Sequence, residues 1–173
     1  MKAIVQRNLP LNVRYTVVDK KYISLIDGFG CTCDNCGKLI ANIATVKSAN
    51  GVYNIGFDCL ETFLLNNNLL DGFTAENLAS VRHNINVALR FAKTVREVID
   101  MNKSVSVTGI KFTEYKWDYV TFYWLCNGQT ESRSNSNFKA KNIDYDFFVA
   151  TVKNIFPNLP TLVFLTTSPS TTF

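Results

Sequence analysis

The chain has 173 residues, 47% hydrophobic and 18% charged, with a formal net charge of +4 at pH 7. Such a composition excludes a wholly disordered chain and suits one substantial core, or a main domain with a small annex. The mild positive balance permits contact with nucleic acid without requiring it.

The opening MKAIVQRNLP carries only the short apolar run Ala3-Ile4-Val5 before Arg7. A secretory signal needs roughly 7–15 apolar residues in a row. No window approaches the ~20 apolar residues of a membrane-spanning helix. The expectation is a cytoplasmic protein without a membrane partner, whose cysteines stay reduced and available to a metal. LNVRYTVVD and YISLI, rich in β-branched and aromatic residues, predict two strands with Lys20-Lys21 as the turn between them.

Residues 30–64, GCTCDNCGKLIANIATVKSANGVYNIGFDCLETFL, hold four of the five cysteines. Within them NIATV and VYNIG flank a hairpin turn at Asn50-Gly51, where both residues tolerate positive φ. A short helix is expected from Asp58 through CLETFLL, ending in Asn66-Asn67-Asn68. Thr74 then caps a long amphipathic helix in which Leu78, Val81, Ile85, Ala88, Ala92, Val95 and Ile99 recur at three- and four-residue steps.

Period-two patterning returns in SVSVTGIKF, WDYVTFYWLC and TESRSNSNF. An Asn127-Gly128 turn pairs Cys126 with Gln129 and, counting back, Tyr119 with Ser136. IDYDFFVATVKNIF predicts a further helix and TLVFL a last strand. The fold class expected is α+β: an antiparallel sheet with one long amphipathic helix and a small zinc-stabilised N-terminal subdomain. The divisions are 1–72 for the strands and zinc-binding subdomain, 73–165 for the long helix, hairpin, helix and strand, and 166–173 for a polar tail, with a single compact unit as the alternative.

Thiolates bind Zn²⁺ tetrahedrally, and two cysteines separated by two residues reach one ion from a tight turn. Cys33-Asp34-Asn35-Cys36-Gly37 fits that turn, with Gly37 supplying its left-handed backbone. Cys59, at an expected helix start, gains from the unpaired amides there. Cys31 is the best fourth ligand; His83, Cys126 and Asp58 are the alternatives. A knuckle, a hairpin and a ligand on the first turn of a helix resemble the layout of treble-clef zinc fingers, except that Thr62 stands where a second helical cysteine usually does. The pattern Cys-x-Cys-Asp-x-Cys-Gly, a hairpin, then Ile-Gly-x-x-Cys-Leu-x-x-Phe also resembles a segment of poorly characterised phage- and plasmid-encoded proteins, over about residues 31–63. That resemblance implies a bacteriophage or mobile-element origin. Four thiolates would leave no open position, so the expected cofactor is one structural zinc per chain on Cys31, Cys33, Cys36 and Cys59.

Catalytic signals are weak. His83, the single histidine, has neither the second histidine nor the glutamate of a metalloprotease helix. Asp144 and Asp146 open a helix, where carboxylates act as caps. No nucleophile elbow or phosphate-binding loop occurs, so neither an enzyme nor a small-molecule substrate is expected.

Two binding surfaces are expected. Arg82, Arg90, Lys93 and Arg96 fall within about 120° of one another on the long helix, an arrangement that can track phosphates. Trp117, Tyr119 and Tyr123 line one side of an aromatic strand, beside Arg133 on its partner, and could stack bases. The leading expectation is a non-catalytic nucleic-acid-binding protein. Its rivals are a protein-binding factor, such as a phage-encoded inhibitor docking on a host protein, and a structural virion component.

Overall fold

The computed structural model describes residues 8–25, 30–101, 107–116, 119–126, 129–131, 138–139, 143–156 and 162–164. Helices and sheets are mixed in an α+β arrangement, and the chain divides into two units, Met1–Ile85 and Asn86–Phe173. The first unit is built on β1 (Tyr15–Tyr22), β2 (Cys31–Thr32), β3 (Leu39–Ile40), β4 (Asn42–Ser48), β5 (Gly51–Gly56) and β6 (Leu70–Asp71). Four of these form a sheet in the order β5-β4-β1-β6, antiparallel except for the β1–β6 edge, and β2 pairs with β3 separately.

β1 continues where a turn between two strands was expected. Lys20 and Lys21 pair with Ala44 and Ile43 of β4, and the only irregularity is a register shift between Val17 and Asp19. The physical reason is that a lysine pair lacks the glycine, proline or asparagine chemistry that fixes a tight turn. β-bulging absorbs the mismatch, and the ladder to β4 carries on. Residues 11–14 precede the strand instead of belonging to it.

The β4–β5 hairpin forms with its turn one residue earlier than expected. Ser48 pairs with Gly51, so Ala49 and Asn50 make the loop, and Gly51 alone takes a positive φ, +140°. β5 runs directly into α1 (Phe57–Cys59), which continues as a π-helical segment over Leu60–Leu65. Its wider winding shows in the bonds from Asn66 N–H to the Glu61 carbonyl (3.0 Å) and from Leu69 N–H to the Leu64 carbonyl (2.8 Å). Leu60, Phe63 and Leu64 are buried there, with Tyr15, Ile43, Val46 and Ile55 of the sheet.

α2 spans Ala75–Met101. Thr74 Oγ1 accepts from Asn77 N–H (3.3 Å) while Asn77 Oδ1 accepts from Thr74 N–H (2.8 Å), a reciprocal cap. The boundary between the units falls inside this helix, after Ile85. Its first turns stay with the N-terminal unit because Leu78 is buried and Arg82 bonds Asp58 and Glu61.

The second unit holds β7 (Val107–Lys116), β8 (Tyr119–Cys126), β9 (Gln129–Glu131), β10 (Phe138–Lys139), α3 (Tyr145–Ile155) and β11 (Leu162–Phe164). Its sheet runs β10-β8-β7-β11, with β9 also paired to β8. Cys126 pairs with Gln129 as the turn predicts. Tyr119, however, pairs with Lys139 and not Ser136, so the ladder is not continuous from the turn. Tyr115 belongs to β7, opposite Val120, and β8 begins only at Tyr119. α3 is capped by Asp144, whose side chain accepts from Phe147 N–H at 3.1 Å. Phe91 and Phe148 meet edge to face, 5.8 Å between ring centres, among the buried Val87, Ala88 and Val152. Among the described residues no helix is long and apolar enough to cross a membrane.

Candidate metal centre

The cysteine segment is a turn held from both sides. After β2 the chain reverses over Asp34–Cys36, and Gly37 takes the left-handed φ of +71° that the knuckle requires. Gly37 N–H donates to the Cys33 carbonyl (2.8 Å), and Cys33 N–H donates to the Lys38 carbonyl (2.8 Å), closing the loop on itself. β5 supplies the outside clamp. Asp34 N–H donates to the Asn54 carbonyl (2.9 Å), and Asn54 N–H returns a bond to Asp34 Oδ2 (2.6 Å). The Asn54 side chain is itself fixed by Thr45, whose hydroxyl donates to Asn54 Oδ1 at 2.8 Å.

Two residues beyond Asn54, Gly56 N–H approaches Cys33 Sγ at 3.5 Å. A Cβ at Gly56 would sit 2.9 Å from Ile40 Cγ2, so glycine leaves room there for the Ile40 side chain. Three residues on, α1 delivers Cys59. The sulfurs of Cys33, Cys36 and Cys59 all lie within 4.8 Å of one another, with Cys33 and Cys59 buried and Cys36 half-buried. Thiolates bound tetrahedrally at about 2.3 Å from zinc would lie about 3.8 Å apart, so a small contraction would accommodate the ion.

The surroundings fit a cation-bound thiolate cluster. Asn35 Nδ2 is buried with no hydrogen bond of ordinary geometry among the described residues, while Asn35 Oδ1 accepts from Leu9 N–H at 3.4 Å. The same side chain nonetheless acts on Cys59 as a donor, favouring its thiolate. A buried amide this weakly paired is costly, and a metal-bound Cys59 thiolate would give it a full acceptor.

Burial alone would push the Cys36 thiol up. The Lys38 backbone N–H, the Cys59 and Cys33 side chains and the Lys38 charge outweigh it, and the net shift is downward. Cys59 goes the other way: burial, joined by Cys36 and Cys33 and opposed by Asn35, pushes its thiol up to about 12. Without a cation the cluster favours charge at Cys36 over Cys59, whose thiol keeps its proton more tightly. A divalent ion would relieve that by replacing the protons.

Cys31, expected as a ligand, is not among the three clustered sulfurs. It pairs with Ile40 across β2–β3, and its Sγ donates to the Thr32 carbonyl at 3.4 Å. Asp58 is turned to Arg82 (3.1 Å), His83 is exposed, and the side chain of Cys126 lies outside the described residues. Asn35, Asn54 and Gly56, which shape the site, were not anticipated as functional. The trace of Asn54 and Gly56 in the sequence is the Asn-Ile-Gly that precedes Phe57-Asp58-Cys59.

The Arg82 guanidinium is engaged by Asp58 and by Glu61 (2.8 Å), an arrangement that positions α2 against α1 and the π-helical segment. Arg90, Lys93 and Arg96 are exposed, and Arg96 sits over the Phe156 ring at 5.4 Å. Trp117 and Arg133 lie outside the described residues. Tyr119 pairs with Lys116 on β7 and Lys139 on β10, and Tyr123 pairs with Lys111.

Compared with known proteins, the chain matches no family model, and no curated protein or solved structure shows significant similarity to it.

Proposed function

We propose that the chain is a non-catalytic nucleic-acid-binding protein whose N-terminal unit is a subdomain stabilised by one structural zinc, and that it works in the cytoplasm of a phage or mobile-element host. The zinc part rests on the convergence of Cys33, Cys36 and Cys59. The binding part rests on one observation: the strand register sets lysines 111, 116 and 139 against Tyr123 and Tyr119. Aromatic groups interleaved with cations suit single-stranded nucleic acid, with bases on the rings and phosphates on the ammonium groups. Arg90 and Lys93, exposed on α2, extend the same chemistry.

A specific observation favours the rival, a factor that docks on a host protein. Arg82 is neutralised by Asp58 and Glu61, which removes one cation from the expected phosphate track. Tyrosine and arginine are also the residues most enriched at protein interfaces.

The test is fluorescence anisotropy against single- and double-stranded DNA and RNA, from about 50 to about 300 mM salt. The reading predicts binding that weakens steeply with salt and is lost in Arg90→Glu with Lys93→Glu and in Lys111→Glu with Lys139→Glu. Absence of binding at low salt would transfer the assignment to a protein partner.

A further inference from the structure

We propose that the metal is held by Cys33, Cys36 and Cys59 alone, and that its fourth coordination position opens onto a cleft where it takes up a small thiol. This rests on the zinc reading above but replaces a closed four-cysteine site with one that exchanges a ligand. Three observations carry it.

The first is the sulfur count: among the described residues these three cysteines converge, while the Cys31 thiol bonds to the carbonyl of the neighbouring Thr32. Three protein ligands leave a tetrahedral ion one position short. The second is a cleft of about 400 Å³ whose wall includes Cys36 and Cys59, together with Lys38, Ile40, Phe57 and Arg82. Two of the three cysteines thus border the same space. Asp58, also on that wall, is bonded to Arg82 and not aimed at the sulfurs.

The third is the chemistry of the wall. Ile40 and Phe57 are apolar and suit an aliphatic body, and a soft sulfur donor matches an ion already bound by thiolates. Lys38 stands beside Cys36 with no carboxylate partner among the described residues, so it offsets the charge that a further thiolate brings. In the binding step the thiol S–H bond breaks, its proton passes to solvent and a sulfur–metal bond forms, with no change of oxidation state.

Cobalt(II) loaded into the full chain reports this directly, because sulfur-to-cobalt absorption grows with the number of bound thiolates. Cys31→Ser, at a half-exposed position, is expected to leave that absorption unchanged, and Cys36→Ser to lose much of it. Millimolar 2-mercaptoethanol should raise it by about one third, as three sulfurs become four. Lys38→Gln should need several-fold more thiol for the same change while taking up cobalt normally. Lower absorption in Cys31→Ser, a spectrum indifferent to thiol, or loss of the cobalt to the thiol would each overturn the open position with the metal reading intact. A chain that takes up no cobalt at all would overturn the metal reading itself, and this inference with it.

Discussion

The cysteine cluster and the tyrosine–lysine ladder are two candidate sites of different construction. The cluster draws its candidate ligands from residues 33–59, shaped by contacts within the same unit: the knuckle closes on Cys33, Asn54 clamps Asp34, and α1 presents Cys59. The ladder instead owes its composition to strand register, so Tyr119 stands opposite Lys139 only because the β8–β10 pairing falls where it does. A site made of local turns tolerates little change in any part. A surface made of paired strands loses affinity in increments, one cation or ring at a time.

Removing the metal gives the largest expected effect and the sharpest contrast. Structural zinc contributes on the order of 10 kcal/mol in small metal-dependent folds. Cys36→Ser, Cys59→Ser or a strong chelator should therefore unfold the N-terminal unit in thermal melts. Cys31→Ser and Cys126→Ser should melt as wild type. Equal damage from Cys31→Ser would restore it to the ligand set.

The next effect is pH. Cys59 is raised from 9.0 to about 12 in the metal-free chain, so it is protonated at neutral pH, and metal uptake must expel that proton. Affinity should tighten steadily as pH rises and weaken in acid, as isothermal titration at several pH values would report. A metal affinity that stayed constant from acid to alkaline pH would contradict a protonated, buried Cys59.

Smaller effects probe the scaffold. Gly37→Ala places a side chain at φ +71°, where L residues pay about 1–2 kcal/mol, and should lower the denaturation midpoint and the metal affinity together. Arg82→Ala removes two ion pairs in which the Asp58 side chain is 95% exposed and Arg82 itself 36%. Screened by solvent, these contribute about 0–1 kcal/mol, so a much larger loss in chemical denaturation would mean that Arg82 does more than position α2.

What could be read in the sequence follows the same division. The knuckle was legible because Cys-x-x-Cys-Gly states its own turn, and the β4–β5 hairpin because Asn50-Gly51 marks it to within a residue. Cys31 looked like a ligand because proximity along the chain suggests proximity in space; it pairs with Ile40 in β2–β3 and is not among the three sulfurs that cluster. β1 hid its continuity because a lysine pair resembles a turn until a partner strand is known. The lysines opposite Tyr119 and Tyr123 had no local signature, since register between strands is a tertiary property. Arg82 read as a cation available to phosphates for the same reason: Asp58 and Glu61 are distant in sequence and adjacent only once α1 and the π-helical segment have formed.

The most direct test of a zinc held by Cys33, Cys36 and Cys59 is metal analysis of purified wild-type and Cys31→Ser protein, followed by a melt of each with and without chelator. The account predicts about one zinc per chain in both, with the N-terminal unit unfolding when the zinc is withdrawn. Metal-free protein that folds and melts cooperatively, unmoved by chelator, would contradict it.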